Sequence, residues 1–357
     1  MKAFDARHET VVASPFAGIR LSRRRLLQAA VGAALPLGAL ACGSGDAKGA
    51  PLAVGALPVT CNLTLPVACA AKAASHTGPD APPVPFGYSK YNGWPEIKES
   101  LMAGRIQAAY MLAPLVMDLA DQQIPVKIVA LGHRSGAVIM VRSESPVRRF
   151  AQLAGKRVAI PSRFAVDFLF LRRMLAEEGM TPDALELVEM PPPDMPAALY
   201  ADAVDAYCTG EPFGAAAERA GYARPLRMTR DAWPTYICCV LTAREELIET
   251  QPELVQDLVD HVLGAGAWLD AGAENRDKAA VIAARREFFN QDPEIIRYVM
   301  QNPEDRVTYG DLRVIRKEFE ELMELSVEAG TLARPIPYER YMDERFARNA
   351  KPTPIAL

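Results

Sequence analysis

"LMAGRIQAAYMLAP", residues 101–114, lies without a gap over "LYADAVDAYCTGEP", residues 199–212. A leucine, two alanines and the closing proline coincide. In each copy a helical stretch gives way to a short apolar run that stops at a proline turn, the pattern of a helix feeding a strand. The settings are parallel too. Ahead of the first copy come an apolar run at 52–59, the polar turn Thr60-Cys61-Asn62-Leu63-Thr64, a helix over 65–74, a strand at 84–88 and a helix over 94–103. The copy itself supplies a strand at 106–112, closed by Ala113 and Pro114. Ahead of the second come a strand at 156–161, the turn Ser162-Arg163-Phe164, a helix over 166–179 and a strand at 185–190. Its own helix spans 196–201, and its strand at 204–208 ends at Glu211-Pro212. Strand–helix alternation at these lengths predicts βαβ units. The fold class is therefore α/β, with two similar lobes, each a mainly parallel sheet flanked by helices.

The chain is expected to leave the first lobe near 142–145 and to return through the apolar run 236–242. Lobe 1 is then discontinuous, residues 51–142 plus 238–330, and lobe 2 is 143–237. Amphipathic helices are expected over 245–271, 274–289, 293–300 and 310–329, and a proline-bearing tail, 331–357, along the surface. Two lobes joined by extended crossings imply a hinge and a central cleft. In open α/β sheets, ligands bind beyond the carboxyl ends of the strands, and both lobes aim those ends at the cleft.

Residues 1–42 read as an export signal. Ser22-Arg23-Arg24-Arg25-Leu26-Leu27 places a twin arginine before an apolar run that Pro36 interrupts and that is too short to span a bilayer. The run ends in Ala39-Leu40-Ala41-Cys42-Gly43, small residues before a cysteine, so Cys42 is the candidate lipidation site. Residues 43–50 are a flexible tether. The expected location is periplasmic or otherwise extracytoplasmic, with a lipid anchor if Cys42 is processed. Five cysteines follow Cys42; an odd number with Cys238 and Cys239 adjacent does not describe a disulfide framework, and they are expected as small buried residues.

At 357 residues the chain is long enough for two cores, and a net charge of −4 disfavours nucleic acid as a partner. There is no GxSxG turn, no HExxH or other metal spacing, and no glycine-rich phosphate or dinucleotide loop. No catalytic residue, metal site or cofactor is expected, and the chain reads as a monomeric binding protein and not an enzyme. Candidate ligand contacts are the turns at strand ends. Thr60, Cys61, Asn62 and Thr64 precede the first helix, where backbone N–H groups and small polar side chains suit a polar ligand. Ser162, Arg163 and Phe164 hold the equivalent place in lobe 2, with helix capping as the plain alternative. Trp94, Pro114, His133, Pro193 and Tyr236 are read as cleft walls or rim. Glu211, on the strand end that closes the second copy, is a recognition or turn residue.

These segments resemble a known family. "PVTCNLT", "KYNGWPEIKESLMAGRIQAAYMLAP", "VKIVALGHRSGAVIMV", "VEMPPPDMPAALYADAVDAYCTGEPF" and "WPTYICCVL" are similar to the nitrate/sulfonate/bicarbonate (taurine-like) substrate-binding proteins of ABC transporters, over about residues 52–330. The resemblance implies a type II-like periplasmic-binding fold that closes on a small ligand and docks on an inner-membrane permease. The nitrate and bicarbonate branch carries a lysine after its counterpart of Trp233 and a glutamine where this chain has Ala137. Both are absent, which points to an organic ligand, most simply an anionic one: a sulfonate, an aromatic acid or a pyrimidine-like heterocycle is compatible. The alternatives are a ligand sensor of the same fold and, further off, an enzyme like the thiamine-pyrimidine synthases, whose cysteine-rich motif Cys238-Cys239 lacks.

Overall fold

In the computed structural model, the structure describes residues 50–79 and 81–357. The segment read as an export signal, with Cys42, and all but the last residue of the expected tether lie outside the described residues. Twelve strands organise the described chain: β1 Leu52–Ala56, β2 Phe86–Lys90, β3 Ala108–Leu112, β4 Val126–Leu131, β5 Arg134–Ser135, β6 Ala137–Arg142, β7 Arg157–Ile160, β8 Glu186–Glu189, β9 Ala206–Gly210, β10 Ala223–Met228, β11 Cys239–Arg244 and β12 Val307–Thr308. They form two five-stranded sheets, β2-β1-β3-β11-β4 and β8-β7-β9-β6-β10, and the short pair β12-β5.

The two large sheets have the same plan. In each, the first three strands are parallel and the fourth position is antiparallel. The antiparallel strand arrives from a crossing between sheets: β11 enters the first sheet and β6 the second. The sequence correspondence carries over in register, since β3 starts at Ala108 and β9 at Ala206, both 98 residues apart like their parent segments. β3 is buried along its whole length, as a strand covered on both faces must be, and its Ala-Ala-Tyr-Met-Leu run suits that setting.

Three sequence expectations need correction. The crossing out of the first sheet lies before β6, at 132–136, and not at 142–145. Residues 137–142 pair with β9 and β10, so they belong to the second sheet. The single helix expected over 245–271 is two, Glu245–Thr250 and Pro252–Asp270. Gln251 precedes a proline, which disfavours helical backbone there, and it adopts φ −139° and ψ 54°. Finally, the tail is not a surface strap. Tyr338, Tyr341 and Phe346 are buried, the Asp343 amide donates to the Ile128 carbonyl at 2.9 Å, and the segment covers the β4 edge.

The crossing is a three-segment ribbon. β5 pairs with β12 on one side, while Ser135 N–H donates to the Tyr236 carbonyl and Arg134 bridges to Ile237 on the other. Glycines make it possible at two points. Gly136 has φ +98°, and a side chain on Gly132 would place a Cβ 2.3 Å from the Tyr110 ring. No helix among the described residues is long and apolar enough to cross a membrane.

Candidate functional site

The carboxyl-terminal turns of β1 and β9 meet. The turn Thr60–Asn62 follows β1; Glu211 follows β9, and its peptide to Pro212 is cis. Thr60 donates to the Glu211 carbonyl from both its amide, at 2.8 Å, and its hydroxyl, at 2.9 Å. The Glu211 amide donates to the Gly136 carbonyl in the crossing. Its side chain is fully buried and serves structure. Arg306 Nε donates to one carboxylate oxygen at 2.6 Å and the Ala215 amide to the other at 2.9 Å, while Arg306 also reaches Glu218. Burial pushes the Glu211 carboxyl upward, against the opposing pull of Arg306. Tyr309 completes the clasp, its hydroxyl donating to the Thr60 carbonyl at 2.8 Å.

Around this clasp, buried polar atoms lack protein partners. Asn62 uses Oδ1 to accept from the Leu57 amide, leaving Nδ2 unpaired. His133 accepts from the Cys239 amide at Nε2, so a neutral ring carries its proton on Nδ1, which has no partner. Thr209 Oγ1, Trp233 Nε1 and Asp167 Oδ1 are likewise buried and unpaired. Native structures leave few such atoms, so a group of them calls for an explanation. Asp167 opens the helix Val166–Glu177 and is close enough to His133, Cys61, Cys208 and Tyr236 for its charge to act on them. Burial pushes its carboxyl from 3.8 to about 7. Trp233 and Tyr236 pack edge to face, ring centres 5.5 Å apart.

Thiols line the same place. Cys61, Cys208, Cys238 and Cys239 are free and buried. One sulfur each from Cys61 and Cys239 and one ring nitrogen of His133 lie within 4.8 Å of one another. At Cys61 a hydrogen bond with Cys239 pulls the thiol down while burial and nearby acidic groups push it up, with a net rise. Burial likewise lifts Cys208. These thiols are neutral at neutral pH, which makes them weak nucleophiles. The adjacent cysteines were legible only as small buried residues. Their convergence with His133 was not, because the three come from separate segments of the first sheet.

The structure brings together only part of the candidate set. Thr60 and Glu211, Cys61 and His133, and Tyr236 beside Cys61 come together at the junction of the sheets, with Asn62 in the same turn as Thr60 and Cys61. Thr64 is buried but spends its hydroxyl on Tyr110 and Gly132. Trp94 and Pro114 are buried at the starts of their helices, Trp94 with an unpaired indole N–H. Ser162 accepts from the Phe164 amide within the turn and does not cap the helix, whose N-cap Ala165 has no side-chain bond, and Phe164 is half-buried. Arg163 is exposed and pairs with Glu189. Pro193 is exposed. Asp167, Thr209 and Arg306 were missed. Only Asp167 left a trace, a lone acid in the apolar run "FAVDFLFL".

Among the described residues the cations at the junction are occupied. Arg306 is ion-paired with Glu211 and Glu218, its Nη2 alone lacking a partner, and Arg134 is held by Glu318 and the carbonyls of Asp311 and Arg313. A surface hollow of about 740 Å³, lined by residues such as Met174, Pro225 and Asp231, includes none of the unpaired groups.

A family model described as the NMT1-like family matches residues 45–284. The nitrate/nitrite binding protein NrtA of Nostoc sp. is 27% identical over 248 residues, 63% of this chain and 55% of its own. The chain spans about half the length of the curated relatives it matches. Among solved structures, the ligand binding component of an ABC-type import system from Staphylococcus aureus, determined with zinc bound, superposes with a TM-score of 0.74 at 25% identity, over 85% of this chain and 99% of that one. The periplasmic nitrate-binding protein NrtA from Synechocystis gives 0.72 at 19% identity, over 84% and 87%.

Proposed function

The chain belongs to the NMT1-like family, and on that premise we propose that it is the extracytoplasmic solute-binding component of an ABC importer. It captures a small, planar organic molecule that both donates and accepts hydrogen bonds, and delivers it to a membrane permease. The observation that carries this reading is the set of buried, unpaired polar atoms on Asn62, His133, Asp167, Thr209 and Trp233. A ligand between the two strand-end turns would pair them. Asp167 calls for a ligand donor; Asn62, Trp233 and His133 call for acceptors.

The same set narrows the ligand. A sulfonate or carboxylate would meet Asp167 without a free cation to offset it, since Arg306 and Arg134 are engaged. Of the ligands compatible with the sequence, the heterocycle suits the site best, with Trp233 and Tyr236 as aromatic walls. Binding without chemistry fits thiols that burial and their neighbours keep protonated. The permease contact, an anchor through Cys42 and a monomeric state belong to the same proposal.

The test is a thermal-shift panel of pyrimidines and related heterocycles, aromatic acids, alkanesulfonates, nitrate and bicarbonate. A true ligand at a hundred times its Kd adds about 2.7 kcal/mol to the folded state. A shift with the heterocycles, lost in Asp167→Ala, is expected. No shift with any member, and no small molecule released on denaturation, would remove the binding role.

A further inference from the structure

We infer that Cys61, His133 and Cys239 form a site for a single thiophilic d10 cation, Zn²⁺ or Cu⁺. The three supply two sulfurs and an imidazole nitrogen from three separate segments, the turn after β1, the turn after β4 and the start of β11. Thiolate with imidazole is the donor set that selects soft or borderline d10 ions over Mg²⁺ or Ca²⁺. Metal–sulfur bonds of about 2.3 Å and metal–nitrogen bonds of about 2.0 Å put tetrahedral donors roughly 3.5–3.8 Å apart. The donors here already lie within 4.8 Å of one another, so each has about an ångström or less to move.

A second observation points the same way. His133 is fully buried and its Nδ1 has no partner, an uncommon state for a ring nitrogen away from water. Coordination through Nε2 gives up the 3.2 Å bond from the Cys239 amide, and coordination through Nδ1 moves the ring proton to Nε2, which then no longer accepts that bond. The metal takes the place of two thiol protons, which leave to solvent as the thiolates form, so binding weakens on acidification. Three protein donors leave a fourth position open, the arrangement of metal sites that accept a further ligand. Asp167, whose charge reaches Cys61 and Cys239, adds a favourable field for a cation at the place where it disfavours an anion. The site adjoins the proposed cleft but its occupancy is a separate question from the organic ligand.

The experiment uses chelator-treated, reduced protein titrated with Co²⁺ as a spectroscopic stand-in for Zn²⁺, and with Cu⁺ against a colorimetric chelator. One equivalent is expected to bind, with sulfur-to-cobalt charge-transfer bands that Zn²⁺ bleaches. Cys61→Ser with Cys239→Ser should abolish those bands, His133→Ala should weaken binding roughly tenfold or more, and Cys69→Ser should change nothing. Absence of thiolate bands together with no Cu⁺ retention overturns the inference, as do bands that survive in the double variant. Should that variant not fold, alkylation of the wild type decides. Zn²⁺ protection of Cys61 and Cys239 beyond that of Cys69 supports the site, and equal labelling overturns it. The heterocycle panel run on the same sample separates the two readings. Thermal stabilisation by a heterocycle with neither cobalt bands nor Cu⁺ retention leaves the binding role standing and removes the metal site. Cobalt bands without any organic stabilisation do the reverse.

Discussion

Thr60 grips the main chain of Glu211 twice, through its amide at 2.8 Å and its hydroxyl at 2.9 Å. The two residues are 151 positions apart and sit on equivalent strand-end turns of different sheets. Because the acceptor is a carbonyl oxygen, the contact asks nothing of the Glu211 side chain. That side chain turns instead to Arg306 and the Ala215 amide. One residue thus joins both sheets and the carboxyl-terminal third of the chain. Under the hinge closure proposed above, such a clasp would set how much a ligand must add to hold the closed form.

Removing half of the clasp tests this. Thr60→Val keeps the shape and the amide bond but loses the hydroxyl, and leaves one lone pair of the Glu211 carbonyl unmet. A loss of about 1 kcal/mol is expected in urea unfolding, together with a larger mean radius in solution scattering of the ligand-free protein. Unchanged stability and radius would mean that the hydroxyl bond contributes nothing to closure.

The buried pair below it behaves differently. Arg306→Met strands the Glu211 carboxylate in a dry environment, at a cost of about 3–5 kcal/mol. Combining it with Glu211→Leu removes both charges, and the double variant should be more stable than Arg306→Met alone. Additive losses in that cycle would show that the two residues are not coupled.

Asp167 imposes a pH dependence whose sign follows from its direction of shift. Its folded-state value is raised from 3.8 to about 7, so the folded protein holds the proton more tightly than the unfolded chain does. The stabilisation is complete below about pH 4 and is lost as pH rises through about 7. Holding that proton corresponds to roughly 4 kcal/mol. Wild type should therefore lose stability between pH 5 and pH 8 relative to Asp167→Asn, which does not ionise. Parallel pH curves from urea titrations of the two would contradict the burial of a carboxyl there. The affinity of a donor-bearing ligand should rise over the same interval, and only in the wild type.

At Gly132 the constraint is steric. An added Cβ falls 2.3 Å from Tyr110 Cε1 and 2.9 Å from the Cys239 carbonyl oxygen. Gly132→Ala should cost about 1–3 kcal/mol by overpacking. Trimming the ring in the same background, with Tyr110→Leu, should return part of that loss. A Gly132→Ala protein as stable as wild type would exclude the close approach.

Much of this architecture is written locally. Short apolar runs closed by turn residues specify strands, and the amphipathic stretches between them specify helices, because period and punctuation act over a few residues. The "LMAGRIQAAYMLAP" and "LYADAVDAYCTGEP" segments accordingly become the same helix–strand unit in each sheet, in the register of their alignment. Local pattern failed where a strand's identity depended on its neighbours. Residues 137–142 look like a continuation of the first lobe, yet hydrogen bonding with β9 and β10 assigns them to the second.

The candidate site divides along the same line. Thr60, Asn62 and Glu211 were legible because turn chemistry at strand ends is local, and so was the two-lobe plan that places those turns opposite each other. Only the tertiary structure decided that Arg163 and Pro193 face solvent, that Arg306 neutralises Glu211, and that Asp167 and the sulfurs of Cys61 and Cys239 surround His133. The reason is physical: a polar group acquires its role when folding removes its water, and which groups lose water together depends on segments that are far apart in the chain.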